Sequence, residues 1–271
     1  MTPGPGRLVL LGRPTGHSLS PRMQNAALDA AGIALRYEAT DLPRRALDET
    51  FASLRRDRAA GNVTIPYKED ALARCDRLTP VAAATGAVNT FWTAPDGALV
   101  GDNTDVEGFR RAFGTLVHQA RGRRVLVLGA GGAAAAVLLA MKGWDASAIT
   151  VYARTMARGE SLIHRLGVAA SLAIDPSEPA RSSDIVVNAT PVGMHDGEMP
   201  LDPALLLPGT IVLDLVYRAG ETDFVRATRA RGCQASDGLA MLVEQGALAF
   251  ERWFGFAPDR EAMWNALPER R

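Results

Sequence analysis

The chain has 271 residues, 47% of them hydrophobic and 22% charged, with thirty basic residues balanced by thirty acidic ones. That length accommodates one large or two smaller domains, and the composition is that of a soluble globular protein. With no net charge, no overall field recruits nucleic acid or an anionic membrane, so attraction for an anionic ligand has to come from local placement. Cys75 and Cys233 stand apart with no C-x-x-C spacing, which reads as reduced core thiols in a cytoplasmic protein and not as a metal site.

Met1 to Gly6 is rich in Pro and Gly and leads into residues 7–11, a first strand whose apolar run is too short for a signal-peptide core. In the following Gly12-Arg13-Pro14-Thr15-Gly16-His17-Ser18-Leu19-Ser20-Pro21, Pro21 suits the first helical position, Ser20 the N-cap, and Gly32 the end of the helix. Ser18 has no capping duty, and two hydroxyls around one turn can hold a small polar ligand; His17 fits a structural hydrogen-bonder. Residues 34–40 predict a second strand and 42–58 a charged amphipathic helix.

In Gly61-Asn62-Val63-Thr64-Ile65-Pro66-Tyr67-Lys68, Pro66 pushes Ile65 into extended geometry and opens a helix running to Leu78. Lys68 then falls in the first helical turn, where the dipole disfavours a cation. A lysine so placed is a candidate for proton transfer, set against the ordinary reading of a solvated surface charge. Thr79-Pro80 caps a helix ending at Gly86, and Ala87-Val88-Asn89-Thr90 enters a hairpin that turns at Pro95-Asp96-Gly97. The hairpin exits into Gly101-Asp102-Asn103-Thr104-Asp105, where Asp105 by itself reads as the cap of a helix over 106–113. The hydroxyl pair, Lys68, Asn89 and Asp105 all sit at turns between apolar segments, where functional groups collect.

Residues 125–128 form an aliphatic strand running into Gly129-Ala130-Gly131-Gly132-Ala133-Ala134 and an alanine-rich helix to Met141. Gly129-x-Gly131-x-x-Ala134 is the Gly/Ala form of the dinucleotide fingerprint: a tight turn, close approach of a pyrophosphate to the backbone, and close helix–strand packing. The helix N-terminus offers free N–H groups to the phosphates. A membrane span over 125–141 is rejected, because the run is shorter than the ~20 residues a span needs and poor in bulky side chains. Further strands at 148–153, 168–172, 185–189, 211–215 and 232–235 alternate with helical patterns, as in a doubly wound parallel sheet. Where NAD enzymes place a carboxylate after the second strand, this chain has Arg154, Thr155 and Arg158, which suit the 2′-phosphate of NADP. Asn188 to Met194 follows the fourth strand on the ligand-binding edge, residues 239–254 predict a long helix, and Pro258 starts a last short one.

Several of these stretches together resemble the motifs of the shikimate dehydrogenase family, in that family's order. They are Gly12-x-Pro14…His17-Ser18-Leu19-Ser20-Pro21, Asn62 to Lys68, Gly86 to Thr90, Asn103-Thr104-Asp105, the Gly129 turn, Asn188 to Met194, Asp214-Leu215-Val216-Tyr217, and Asp237 to Val243 with Gln245. The resemblance covers nearly the whole chain and implies reduction of 3-dehydroshikimate to shikimate with NADPH. It implies Lys68 and Asp105 as the catalytic pair, and Ser18, Ser20, Thr64, Asn89, Tyr217 and Gln245 around the substrate. Gly129, Ala130, Gly131, Gly132, Ala133, Arg154, Thr155, Arg158, Thr190, Gly238 and Met241 would bind the cofactor, with no metal. The implied fold is α/β in two domains. Residues 1–105 and 239–271 form a discontinuous substrate-binding domain, residues 106–238 an inserted Rossmann-type domain, and the cleft between them closes on ligands. The chain departs from the family pattern at Ala153, where an Asn is usual, at Ala240, where Gly is commoner, and at Val106, where a smaller residue is commoner. Alternatives are a dehydrogenase that also takes quinate or an amino analogue, a folate-type dehydrogenase, and a catalytically silent dinucleotide-binding regulator. A monomer or homodimer with small-molecule ligands alone is expected.

Overall fold

The computed structural model describes residues 4–117 and 121–268. Residues 1–3 and 269–271 of the expected first domain, and 118–120 of the expected second, lie outside the described residues. By internal contacts the chain divides into one unit of residues 1–108 and 242–268 and another of residues 109–241.

In chain order, the first unit begins with β1 (Arg7–Gly12), α1 (Ser20–Ala30), β2 (Tyr37–Asp41), α2 (Leu47–Arg56), β3 (Ala59–Val63) and α3 (Lys68–Leu72). It continues with β4 (Arg77–Leu78), α4 (Pro80–Thr85), β5 (Thr90–Thr93), β6 (Leu99–Asp102) and the start of α5 (Asp105–Val117). The sheet order is β2-β1-β3-β5-β6-β4. β1 pairs in parallel with β2 and β3, and β5 runs antiparallel to both β3 and β6. β3 is buried at every position, and its small residues let it lie between neighbours on both edges. Phe51 of α2 and Phe91 of β5, both fully buried, meet with ring centroids 6.1 Å apart in the core cluster on one side of this sheet.

Several predicted boundaries shift for local reasons. Pro43 is extended, so the long helix expected over 42–58 becomes a 3-10 turn at Arg44–Ala46 followed by α2. The helix expected to reach Leu78 stops at Leu72, because Asp76 N–H donates to Leu99 C=O and residues 77–78 join the sheet as β4. Ser20 is the first residue of α1 and not its N-cap; Leu19 holds that position without a side-chain bond, and the Ser20 N–H donates to Ser18 Oγ. Thr79 caps α4, accepting from Ala82 N–H, and Gly86 closes it in the left-handed region, as the sequence indicates.

The second unit contains β7 (Arg124–Leu128), α6 (Gly132–Ala140), β8 (Ala148–Tyr152), α7 (Met156–Leu166), β9 (Ser171–Ala173), α8 (Ser177–Ser182), β10 (Ile185–Asn188), β11 (Ile211–Asp214), α9 (Asp223–Ala230) and β12 (Gln234–Ser236). All its strands are parallel, in the order β12-β11-β10-β7-β8-β9. Numbered from β7, that is the 3-2-1-4-5-6 order of the dinucleotide-binding fold. β9 and β12 begin later than the apolar runs suggest. α10 (Leu239–Phe254) spans the predicted residues, and α11 (Arg260–Asn265) starts after Asp259, whose side chain accepts from Ala262 N–H, and not at Pro258. Among the described residues no helix is long and apolar enough to cross a membrane. Both cysteines are free, and burial pushes the Cys75 thiol up to about 12, so it is no nucleophile.

Arg55 of α2 ties the first unit's rim by a fork onto Asp76, whose Oδ2 also accepts from Leu99 N–H. The guanidinium, and then the backbone N–H, hold the Asp76 carboxyl below the usual carboxylate range. A depressed folded value gives stability that is present above the unfolded pKa of about 3.9 and is lost as pH falls through the folded value. Asp76→Asn should therefore melt below the parent at neutral pH, and the gap should close below about pH 4, as read by thermal unfolding across a pH series.

Candidate active site

In the first unit the antiparallel β5–β6 hairpin brings the residue before it, Asn89, against the turn after it, Asn103 to Asp105. Asn103 fixes that turn. Its Oδ1 accepts from Asp105 N–H, and its Nδ2 donates to Thr85 Oγ1 and Ala87 C=O. Asp105 thus opens α5 with both side-chain oxygens engaged by partners outside that helix.

The two oxygens of Asp105 are divided between two donors. Lys68 Nζ lies 2.6 Å from Oδ2, and Asn89 Nδ2 lies 2.8 Å from Oδ1. The Asp105 side chain is 5% exposed and that of Lys68 20%, so the pair is screened from water but not sealed. Lys68 is at the first position of α3, where the dipole opposes it, and the Asp105 carboxylate supplies the compensation. Asn89 Nδ2 also lies 3.0 Å from Thr104 Oγ1 and 3.3 Å from Gln245 Oε1. One amide nitrogen has two hydrogens for these three acceptors, so the Gln245 contact is the loosest and the first to yield to a ligand.

Gln245 reaches this cluster from α10 because Gly108 of α5 leaves room for it. A Cβ at 108 would stand 2.7 Å from Gln245 Cβ and 2.9 Å from its backbone nitrogen. Gln245 Nε2 is occupied by Leu242 C=O, which leaves its carbonyl oxygen for Asn89. α10 is further tied by Gln24 Nε2 to Gly246 C=O, Arg252 Nε to Asp102 Oδ2, and Trp253 Nε1 to Thr90 Oγ1. Ser18 is half-buried and Ser20 buried at the mouth of α1. Thr64, at the end of β3, is half-buried, and its N–H donates to Leu11 C=O.

In the second unit β7 and β10 are neighbours, and the chain leaves them in opposite lateral directions, which opens a crevice at their carboxyl ends. Gly129 sits there at φ +115°, and a Cβ would lie 2.9 Å from Ala189 C=O, so the turn requires glycine. Residues Gly129 to Ala133 are partly exposed while Ala134 is fully buried, which matches a pyrophosphate-facing turn followed by close helix packing. Nothing lies within 4 Å of the side-chain position of Gly131. Arg154, Thr155 and Arg158 are exposed after β8. These features fit a phosphate-bearing dinucleotide: a partly exposed turn at a helix N-terminus, bare glycines, and guanidinium groups where a carboxylate would repel a 2′-phosphate.

Thr190 is held by Asn188, whose Oδ1 accepts from both the Thr190 N–H and hydroxyl. Asn188 Nδ2 in turn donates to Asp214 Oδ1 and Val192 C=O. Asp214 also accepts from Val216 N–H and Thr222 Oγ1. Burial raises its carboxyl above the ordinary range even so, with Asp237 adding to the effect. Tyr217 is half-buried just after this anchor, Gly238 N–H donates to Val216 C=O, and Met241 is buried. The sequence names Thr190 and Tyr217 and places Asn188 and Asp214 within family motifs, but it does not show that Asn188, Asp214 and Thr222 form the anchor behind them. Likewise Asn103 carries no role there, although an Asn two residues ahead of Asp105 has the spacing of a side-chain turn.

The chain matches three family models. Residues 10–91 match the shikimate dehydrogenase substrate binding domain, 112–193 the shikimate/quinate 5-dehydrogenase model, and 238–267 the shikimate 5′-dehydrogenase C-terminal domain. The shikimate dehydrogenase (NADP(+)) of Rubrobacter xylanophilus is 43% identical over 266 residues, covering 95% of this chain and 94% of that protein. Among solved structures, shikimate dehydrogenase of Aquifex aeolicus is similar with a TM-score of 0.90 at 30% identity, covering 97% of this chain and 98% of that one. Shikimate 5-dehydrogenase of Thermus thermophilus, solved in complex with NADP(H) and shikimate, is similar with a TM-score of 0.85 at 41% identity, covering 96% and 97%. With relatives this similar along nearly its whole length and a bonded lysine–aspartate pair in its first unit, the chain belongs to the shikimate dehydrogenase family.

Proposed function

We propose that this protein catalyses the reversible reduction of 3-dehydroshikimate to shikimate with NADPH, acting through Lys68 and Asp105. The observation that carries the reading is the 2.6 Å contact between those two side chains, with Asn89 holding the second carboxylate oxygen. When bound, NADPH supplies the hydride. The chain's own task is then to manage the proton and to hold the substrate. As the ketone becomes an alkoxide, the Lys68 ammonium delivers a proton to that oxygen or stabilises its charge, and Asp105 orients both the lysine and the reacting hydroxyl. Asn89, Gln245 and Thr64 offer amide and hydroxyl groups to the ring hydroxyls, Ser18 and Ser20 take the carboxylate, and Tyr217 is a further substrate-binding side chain in this reading. Residues 1–105 with 239–271 form the substrate domain in this reading, and 106–238 the NADP domain. Gly129 to Ala133, Thr190, Gly238 and Met241 then line the dinucleotide, and Arg154, Thr155 and Arg158 grip its 2′-phosphate. The unpaired cysteines accord with a cytoplasmic setting.

Oxidation of shikimate, followed spectrophotometrically as NADP reduction, should fall about 10²–10⁴-fold in kcat in Lys68→Ala, with the KM for shikimate little changed. Equal rates with quinate would move the assignment to the broad-specificity alternative.

For the cofactor, a charge-assisted bond of about 1.5–3 kcal/mol corresponds to roughly 10–100-fold in affinity. Arg154→Ala should raise the KM for NADP by about tenfold or more and leave the KM for NAD unchanged, measured with saturating shikimate. A parallel rise for both cofactors would remove Arg154 from the 2′-phosphate site.

A further inference from the structure

The loop between β1 and α1 carries Ser18 and Ser20, and its fastening depends on one acidic side chain outside it. Thr15, 4% exposed, stands at the loop's midpoint. Its N–H and its hydroxyl both donate to the same atom, Asp41 Oδ1 at the end of β2, at 2.5 and 2.6 Å. From Thr15 the bonding continues toward the serines. Ser18 N–H donates to Thr15 C=O at 2.9 Å, and Ser18 Oγ accepts from Ser20 N–H at 3.3 Å. The loop's start is fixed separately, by Arg13 N–H on Ile65 C=O and by Gly12 C=O accepting from Leu42 N–H. Thr15 also packs beside Thr64: a Cβ at Gly12 would meet Thr64 Cγ2 at 2.4 Å and Thr15 Cγ2 at 3.0 Å.

We infer that Asp41 is a positioning residue for the substrate-carboxylate subsite, acting through Thr15 to set the Ser18–Ser20 turn. This rests on the reading of Ser18 and Ser20 as carboxylate-binding groups. Asp41 is itself a carboxylate beside a loop read as binding another. The Thr15 hydroxyl, and then the Thr15 N–H, hold its carboxyl below the usual range and so keep it ionised, while Arg13 on the same loop offsets that charge. The role assigned to Asp41 is that of an acceptor at a fixed point, which a neutral carbonyl oxygen can also fill.

That distinction gives the test. Asp41→Ala removes the acceptor, whereas Asp41→Asn keeps a carbonyl oxygen in place and removes only the charge. In steady-state assays of shikimate oxidation, Asp41→Ala should raise the KM for shikimate about tenfold, while kcat and the KM for NADP stay within about twofold of the parent. Asp41→Asn should restore the shikimate KM to within about threefold of the parent. Thr15→Val, a milder cut of the same bonds should Asp41→Ala fail to fold, should raise that KM alone. In a cycle with Ser18→Ala, the effect of the serine change should shrink in the Asp41→Ala background. Additive effects, an equal rise in both KM values, or Asp41→Asn as impaired as Asp41→Ala would overturn the inference. If Ser18→Ala itself leaves the shikimate KM unchanged, the carboxylate subsite fails instead, which separates the two claims.

Discussion

The first unit depends on the division of one buried carboxylate between two donors. With Lys68 on Oδ2 and Asn89 on Oδ1, Asp105 has no freedom to turn toward its own helix, although a carboxylate at a helix start is ordinarily drawn to that role. The same division gives Lys68 a reason to sit where the α3 dipole opposes it. Removing either donor leaves a nearly buried charge half-paired, which is costly, so the arrangement constrains three separate stretches of sequence at once.

A second layer of polar side chains makes that division possible. Asn103 holds the backbone of Asp105, and Asp102 accepts from Thr79, from Asn103 N–H and from Arg252. Asn62 receives Tyr37 and donates to Asn89 C=O. The second unit is built the same way, with Asn188 and Asp214 buried behind Thr190. Lys68, Gln245 and Thr190 are partly exposed, whereas Asn103, Asp102, Asn188 and Asp214 behind them are buried and bonded. Such preorganisation spares the cost of reorientation when charge develops.

The sequence makes the second unit legible almost strand by strand, because buried parallel strands read as continuous aliphatic runs and the glycine turn has a mechanical cause. The first unit is harder. β3 reads Ala59-Ala60-Gly61-Asn62-Val63, with no aliphatic run to mark it, and is a strand because it has partners on both edges. α3 is cut short by pairing of residues 77–78 with β6, which local propensity does not report. Lys68 is visible as an out-of-place charge, Asp105 by itself as a helix cap, and both as parts of family motifs. Their supports are not: Arg252 lies 150 residues from Asp102, and no spacing links Asp41 to Thr15.

The β5–β6 hairpin works as a ruler. Thr90 pairs with Asp102 at its open end, so Asn89 and Asn103 stand level, while Pro95 to Gly97 turn at the far end. Extra residues at that tip would extend into solvent and leave the open end undisturbed. One extra residue within either strand would have to be taken up as a bulge or slip the pairing, turning the side chains beyond it to the opposite face. The tip is therefore a place where a label or a peptide tag can be grafted onto this enzyme, while a few residues away even one added alanine disturbs the pairing.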